Sequence, residues 1–434
     1  MFSERLAGWM AGKNIHYGWV VASTTFLTML ATAGAMGSAG VMIQPLHQEF
    51  GWDIADISFA MAVRLVLFGL LGPFAAAFMN HFDVRQVVLT ALTLIVFGIV
   101  TSFLMTEVWQ LVALWGVVIG VGTGMTALVL GATVATRWFS KRRGLVVGLM
   151  TASNATGQLV FLPILAALTE AYGWRTALML AVTVIVLAML LVLFLMRDYP
   201  ADVGLPAYGD ETVTARVKQD HKLLATLVSP LLVLKEVSTN AVFWALFGTF
   251  FICGLSTNGL IQTHWISICG DFGMAAVTAA GTLAVIGIFD FFGTVFAGWL
   301  SDRFDNRFLL FWFYGLRGLS LIYLSFSGFS LVELSIFAVF YGLDWVATVP
   351  PTVKLAAENF GREKAGLVFG WVFTGHQLGA ATAAFGAGYF RDDFGTYLPA
   401  LQIAGVMCMI AAVSVLLLRK PGTTNLATPN LARS

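Results

Sequence analysis

Five ionisable residues fall inside stretches apolar enough for hydrocarbon: Arg64, Asp290, Arg317, Asp344 and His376. Charge is costly in such surroundings, so each one is a functional-site hypothesis by default. A buried carboxylate titrates once burial raises its pKa, an arginine needs an anion, and histidine switches near neutral pH. Counting at about 1.5 Å per residue gives their depths. Asp290 lies twelve residues before Asp302, about 18 Å from the polar end. Arg317 lies ten residues after Arg307, Asp344 ten before Lys354 and His376 ten after Gly366, each about 15 Å deep. In a hydrocarbon core of roughly 30 Å these four lie near the midplane. Arg64 lies sixteen residues before Asn80, about 24 Å up and closer to the opposite face.

Each charge has two readings. Arg317 either neutralises Asp290 on the adjoining stretch or reaches through to an anion. Asp344 either carries a coupling proton or is a structural partner for Arg317. Arg64 has no acidic neighbour in its half, so it pairs with an anionic ligand or snorkels to the outer interface. Asn258, Gln262 and His264 form a polar end to one stretch, suited to lining an outer cavity, to gating or to interfacial anchoring.

The elements that must position these groups follow from composition. Of 434 residues 59% are hydrophobic and only 11% charged, against about 25% charged in soluble domains. With a net charge of +1, no basic surface points to nucleic acid. The three cysteines, Cys253, Cys269 and Cys408, lie in or beside apolar segments and make no disulfide framework. No cleavable leader is expected before the first stretch. Twelve stretches are predicted to span a bilayer, near 17–43, 55–79, 86–105, 108–133, 144–168, 175–196, 238–265, 274–299, 307–327, 330–354, 365–390 and 397–418. Lys and Arg crowd one set of loops, while the opposite loops hold Arg175 and Arg391. The positive-inside rule then makes both termini cytoplasmic.

An internal repeat runs through the chain. His81-Phe82-Asp83-Val84-Arg85 and Arg303-Phe304-Asp305-Asn306-Arg307 are 222 residues apart, as are Gly144-Leu145-Val146 and Gly366-Leu367-Val368, Phe50-Gly51 and Phe272-Gly273, and Gly120 and Gly342. One register through both halves indicates duplication. The expected organisation is an all-α membrane protein of two pseudo-symmetric six-helix bundles, residues 1–196 and 238–420. A cytoplasmic linker, 197–237, joins them, and a tail, 421–434, follows. Duplicated halves around a midplane site are the architecture of alternating-access carriers. Gly116, Gly120, Gly122 and Gly124 permit close helix approach. No P-loop lysine follows them, and no cofactor or metal is expected. Pro350-Pro351 is expected to break the tenth stretch.

Gly298-Trp299-Leu300-Ser301-Asp302-Arg303-Phe304-Asp305-Asn306-Arg307 resembles the cytoplasmic loop motif of the major facilitator superfamily, with Asp305 in place of its second glycine. The first copy has Asn80 and His81 at the Asp-Arg positions. Arg137-Trp138-Phe139-Ser140-Lys141-Arg142-Arg143-Gly144-Leu145 and the opening Tyr17-Gly18-Trp19 are similar to the monocarboxylate and oxalate/formate carrier branch. The resemblance implies secondary active, proton-linked transport of a small organic anion, a carboxylate, by alternating access. A vitamin-like nutrient, or export of drugs or metabolites, is the alternative. The helix 5 stretch from Thr151 to Pro163 lacks the Gly-Pro-rich pattern of drug exporters.

In that branch helix 8 carries an aspartate and, one turn later, a substrate-binding arginine; here these positions hold Asp290 and Thr294. Thr374 stands where oxalate carriers have a lysine in helix 11. The family fold also faces helix 5 toward helix 11, implying that Asn154 and His376-Gln377 approach substrate from opposite halves. Asp302, Arg303 and Arg307, with Arg85 and Arg143 on the same face, are expected to form ion pairs that close the cytoplasmic side and break during rocking. The expected partners are a small solute, protons and the lipid bilayer. The setting is a bacterial inner membrane and the working unit a monomer.

Overall fold

A computed structural model describes residues 2–213, 223–361 and 364–418. It is helical, with no strand among these residues. Among the described residues, ten helices are long and apolar enough to cross a membrane. In chain order, with two further helices of 30 residues each, they are α1 (Gly18–Phe50), α2 (Ile54–Phe82), α3 (Val84–Ser102), α4 (Val108–Trp138), α5 (Arg143–Tyr172), α6 (Trp174–Leu195), α7 (Ala241–Asp271), α8 (Ala276–Ser301), α9 (Asn306–Ser325), α10 (Leu331–Phe360), α11 (Ala365–Phe394) and α12 (Leu398–Leu416). The two less apolar members, α5 and α11, have small and polar residues along their length. Sequence runs such as His376-Gln377 lower their hydropathy, and packing between the halves buries them.

Contacts between the halves obey the repeat. Helix α2 packs on α11 and α5 packs on α8. A shift of six helices exchanges these two pairs, as a duplicated fold requires. Within each half the same glycine positions bring helices together. A Cβ on Gly120 would lie 3.2 Å from Arg64 Cα, and one on Gly342 would lie 2.5 Å from the Ile286 carbonyl. Arg64 and Ile286 are themselves 222 residues apart, so Arg64 occupies the position that an isoleucine fills in the other half.

Among the described residues four helices are interrupted at repeat-related positions, and α4 has a further π-helical segment, Val112–Val118, without such a partner. Helix α1 breaks at Ser38, and α7 carries a π-helical segment at Leu255–Gln262 that contains its counterpart, Leu260. Helix α4 breaks between Met125 and Leu128, and α10 between Asp344 and Val349. Thr126 and Thr348 mark the same position in those two breaks. Pro350-Pro351 does not make the α10 break. The prolines lie in the first turn of the segment that follows it, where a missing N–H leaves no intrahelical bond unmade.

The linker begins as a cap on the first half. Tyr208 pairs with Phe139 through backbone bonds, and His16 bonds to the Pro206 carbonyl at 3.0 Å. Further on, the helix Leu223–Val237 touches both α2 and α11. Trp371 Nε1 donates to the Pro230 carbonyl, and Lys364 pairs with Glu236.

Candidate functional site

Three of the midplane charges form one cluster in the second half. The break in α10 leaves backbone donors and acceptors without helical partners, and hydrocarbon supplies none. Side chains from the neighbouring helices fill both roles. From α8, Asp290 accepts the Val346 N–H at 2.9 Å and the Thr294 hydroxyl at 2.9 Å, both through Oδ1. From α9, Arg317 donates to the Asp344 and Trp345 carbonyls, to the Asp344 carboxylate at 2.8 Å and to Cys253 Sγ on α7 at 3.0 Å. Arg317 is fully buried, and Asp344 is 4% exposed. Arg317 thus pairs with Asp344 and not, as helix adjacency had pointed to, with Asp290. The guanidinium is committed to the α10 break and does not reach through to the space between the halves. Asp290 has no cation within ion-pair distance among the described residues, and Asp344 Oδ1 accepts no hydrogen bond.

Among the described residues the first half holds one buried cation. Arg64 donates to the carbonyls of Met36 at 3.1 Å and Ala35 at 3.5 Å, the last residues before the α1 break. A cation at a helix C-terminus is favoured there by the helix dipole. Arg64 is 3% exposed, so it does not snorkel to the interface, and close packing on Gly120 of α4 holds it inside. No carboxylate pairs with it among the described residues, and its Nε has no partner. Met36, whose carbonyl it bonds, and Leu65 belong to a small apolar cluster drawn from both halves that includes Phe68, Ala127, Ala380 and Ala384, with Phe373 against it.

On the facing helix, α11, His376 stacks on Phe373 at 5.5 Å and lies 5.1 Å from Phe250 of α7. Gln377 packs where a Cβ on Gly69 would fall 2.5 Å from its own Cβ, and Thr374 donates to the Gly69 carbonyl at 3.1 Å. The ring nitrogen Nδ1 of His376 and the Oε1 of Gln377 are buried without partners. The seam between α2 and α11 holds several unused polar atoms, and Arg64 of α2 has no carboxylate partner among the described residues.

The sequence model described as Major Facilitator Superfamily matches residues 24–384. The chain belongs to that superfamily. An uncharacterized MFS-type transporter, YcxA of Bacillus subtilis (strain 168), is 24% identical over 91% of this chain and 93% of its own length. Monocarboxylate transporter 13 of Rattus norvegicus is 26% identical over 92% of this chain and 88% of its own. Human (Homo sapiens) monocarboxylate transporter 11 is 28% identical over 66% of this chain and 57% of its own. The chain is therefore a membrane transporter and not an enzyme.

The facilitator loop motif makes its ion pairs within the second half. Asp302 pairs with Lys354 of α10 at 3.0 Å, and Lys354 also donates to the Ser301 carbonyl. Arg307 is bidentate to Asp305 and donates to the Leu418 carbonyl at 2.6 Å, tying α9 to the end of α12. Arg303 lies over the Trp299 ring at 4.1 Å. Across the repeat, Arg85 donates its backbone N–H to Asp198 at 3.0 Å and its side chain to the Leu193 carbonyl. Burial pushes the Asp198 carboxyl above the ordinary range. The side chains of Asn154 and Arg143 lie outside the described residues.

At the end opposite the loop motif the halves meet through a contact that sequence reading missed. Asp392 of α11 accepts the Ala55 N–H at 2.7 Å, at the first turn of α2. Ser58 is where a Cβ on Gly388 would collide, at 2.6 Å, and Phe59 meets Phe385 edge to face. A cavity of about 450 Å³ opens beside this contact, lined by residues of both halves including His47, Asp271 and Arg391. Asp271 and Arg391 form an ion pair across it at 2.9 Å. Asn258 and Gln262 are half-buried in the π-helical segment of α7, where Gly40 of α1 approaches the Gln262 carbonyl. His264 is fully buried and bonded to the Ala384 carbonyl, which makes it a packing residue between α7 and α11. Asp392 carried one usable signal, an acidic side chain just before the end of α11, but only the fold brings the start of α2 to it.

Proposed function

We propose that this facilitator is a proton-linked carrier of a small organic anion, a carboxylate, working by alternating access between residues 1–196 and 238–420. The observation that carries the reading is Arg64: a buried arginine without a carboxylate partner among the described residues, on the helix that packs against α11 of the other half. A guanidinium presents a fork of donors matched to a carboxylate. His376, Gln377 and Thr294 supply neutral polar atoms from the other half, and Asn154, Asn258 and Gln262 complete the proposed substrate contacts. Relatives named monocarboxylate transporters support the same substrate class.

Charge counting supports the proton. Asp290, Asp344 and Arg317 together hold two carboxylates and one guanidinium. Such a cluster has one negative charge in excess when both acids are ionised, and one proton neutralises it. A neutral cluster is the cheaper state at mid-membrane. The setting proposed is a bacterial inner membrane with both termini cytoplasmic, and a monomer suffices because both sites lie within one chain.

The test is uptake into proteoliposomes of a panel of labelled mono- and dicarboxylates, with and without an inward proton gradient. Gradient-stimulated uptake of one carboxylate, lost in Arg64→Gln, is the expected result. Absence of carboxylate flux from folded protein, with flux of a vitamin-like nutrient or an exported compound instead, removes the carboxylate reading.

A further inference from the structure

Whereas the α1 break has a guanidinium, Arg64, alone, the break in α10 is held by a carboxylate and a guanidinium together. Its freed N–H, on Val346, goes to a carboxylate on α8; its freed carbonyls, on Asp344 and Trp345, go to a guanidinium on α9. Both are charged groups on helices other than α10 itself. The repeat-related break in α4 has nothing comparable. Thr126 there bonds back to the carbonyls of Gly122 and Thr123 in its own helix. At the positions equivalent to Arg317 and Asp290, the first half has Ile95 and Phe68.

We propose that Asp290 is the positioning residue of a hinge in α10, and that the charge on its carboxylate sets how firmly residues 345–348 are held. An ionised carboxylate accepts a backbone N–H in a charge-assisted bond, roughly twice as strong as the neutral kind. Asp290 directs two donors, the Val346 N–H and the Thr294 hydroxyl, onto the same oxygen. Protonation halves the pull on both and leaves Arg317 as the main hold on the α10 break. The lower segment, Val349–Phe360, then swings on that break. Lys354 on this segment anchors Asp302 of the facilitator loop motif, so the hinge is wired to the cytoplasmic closure. This rests on the reading of the Asp290, Asp344 and Arg317 cluster as the proton site, and adds where the proton's effect is delivered.

The groups within electrostatic reach are Arg317 and Tyr314 from α9, Asp344 and Tyr341 from α10, Cys253 from α7, Cys408 from α12 and His376 from α11. Asp344 is bound to Arg317, which holds its charge in place. Asp290 is the carboxylate without a cation, and it alone bonds the freed N–H.

Hydrogen exchange on purified protein, read as protection of the peptide spanning 345–348 over a pH series, tests this. In the wild type, protection falls about tenfold as pH is lowered, the ratio expected when a charge-assisted bond becomes a neutral one. Asp290→Asn keeps an acceptor but has no charge, so its protection stays at the low level at every pH. Asp290→Glu restores the pH dependence. The peptide spanning 126–127 is the internal control for folding and stays flat in all three proteins. A flat wild-type profile at 345–348, or an Asp290→Asn profile that still follows pH, overturns the proposal. Neither readout requires a transported substrate, so this failure is distinct from a failure of the carboxylate reading.

Discussion

The breaks in α4 and α10 occupy the same place in the duplicated fold, yet one is closed by apolar packing and hydroxyls and the other by charge. In the first half Gly122 has no room for a side chain: a Cβ there would lie 2.7 Å from Ile95 and 2.8 Å from the Ala91 carbonyl. In the second half the equivalent of Gly122 is Asp344, and the equivalent of Ile95 is Arg317. The Arg317–Asp344 ion pair therefore fills the space of an isoleucine against a glycine. Duplication supplied two copies of a hinge. Divergence kept one as a tightly packed joint and made the other a charged one, while the buried cation of the first half, among the described residues, went to α2 at Arg64. Under the proposed function the arginine for the anion and the carboxylates for the proton lie in different halves, so each can be altered without the other.

Breaking the charged joint is expected to have the largest effect. Arg317→Leu leaves Asp344 buried without its partner, a change that costs about 3–5 kcal/mol. It should appear as a sharp loss of thermal stability and folded yield. Arg317→Leu combined with Asp344→Leu should recover most of that loss, because an apolar pair of similar volume replaces the ion pair. No recovery in the double variant would show that the pair does more than neutralise itself. In the first half, Gly122→Ala should cost about 1–3 kcal/mol by overpacking against a backbone carbonyl. Ile95→Val, at the position of Arg317, should cost only about 0.5–1.5 kcal/mol. Equal melting temperatures for Ile95→Val and Arg317→Leu would erase the asymmetry.

The hydroxyls at the two breaks sharpen the comparison further. Thr126 satisfies two carbonyls of α4, whereas Thr348 touches Cys253 Sγ at 3.3 Å. Thr126→Val should therefore cost about 1 kcal/mol and Thr348→Val less. The smallest effect is expected at Asp198. Burial raises its pKa, so the folded state binds a proton more readily than the unfolded one, and stability declines as pH rises through the raised value. Asp198→Asn keeps an acceptor for the Arg85 N–H and should flatten that part of the melting profile.

Much of the fold was legible because duplication writes itself in spacing. A 222-residue register in a few short motifs indicated duplication, and the contacts of α2 with α11 and of α5 with α8 are consistent with it. The first helix runs on to Phe50, past the predicted end near residue 43, because Gln44, His47, Gln48 and Glu49 lower the hydropathy without stopping the helix. The site was legible in depth but not in azimuth. Residue counting placed Asp290, Arg317, Asp344 and His376 at one level. It gave no way to learn that α9 turns its guanidinium toward the α10 break and away from Asp290. The break itself was looked for at Pro350-Pro351, where proline begins a helical segment instead of ending one. For Arg64 the deciding fact was Gly120, whose missing side chain lets α4 close over the arginine and keep it from the interface.

Comparing two fluxes, equilibrium exchange of labelled substrate and accumulation driven by a proton gradient, in Arg64→Gln and Asp290→Asn tests the division between the halves most directly. Exchange needs the anion site and the rocking motion but no net proton movement, whereas accumulation needs all three. Asp290→Asn is predicted to keep exchange and lose accumulation, and Arg64→Gln to lose both. Accumulation that survives in Asp290→Asn, or exchange that survives in Arg64→Gln, would contradict the account.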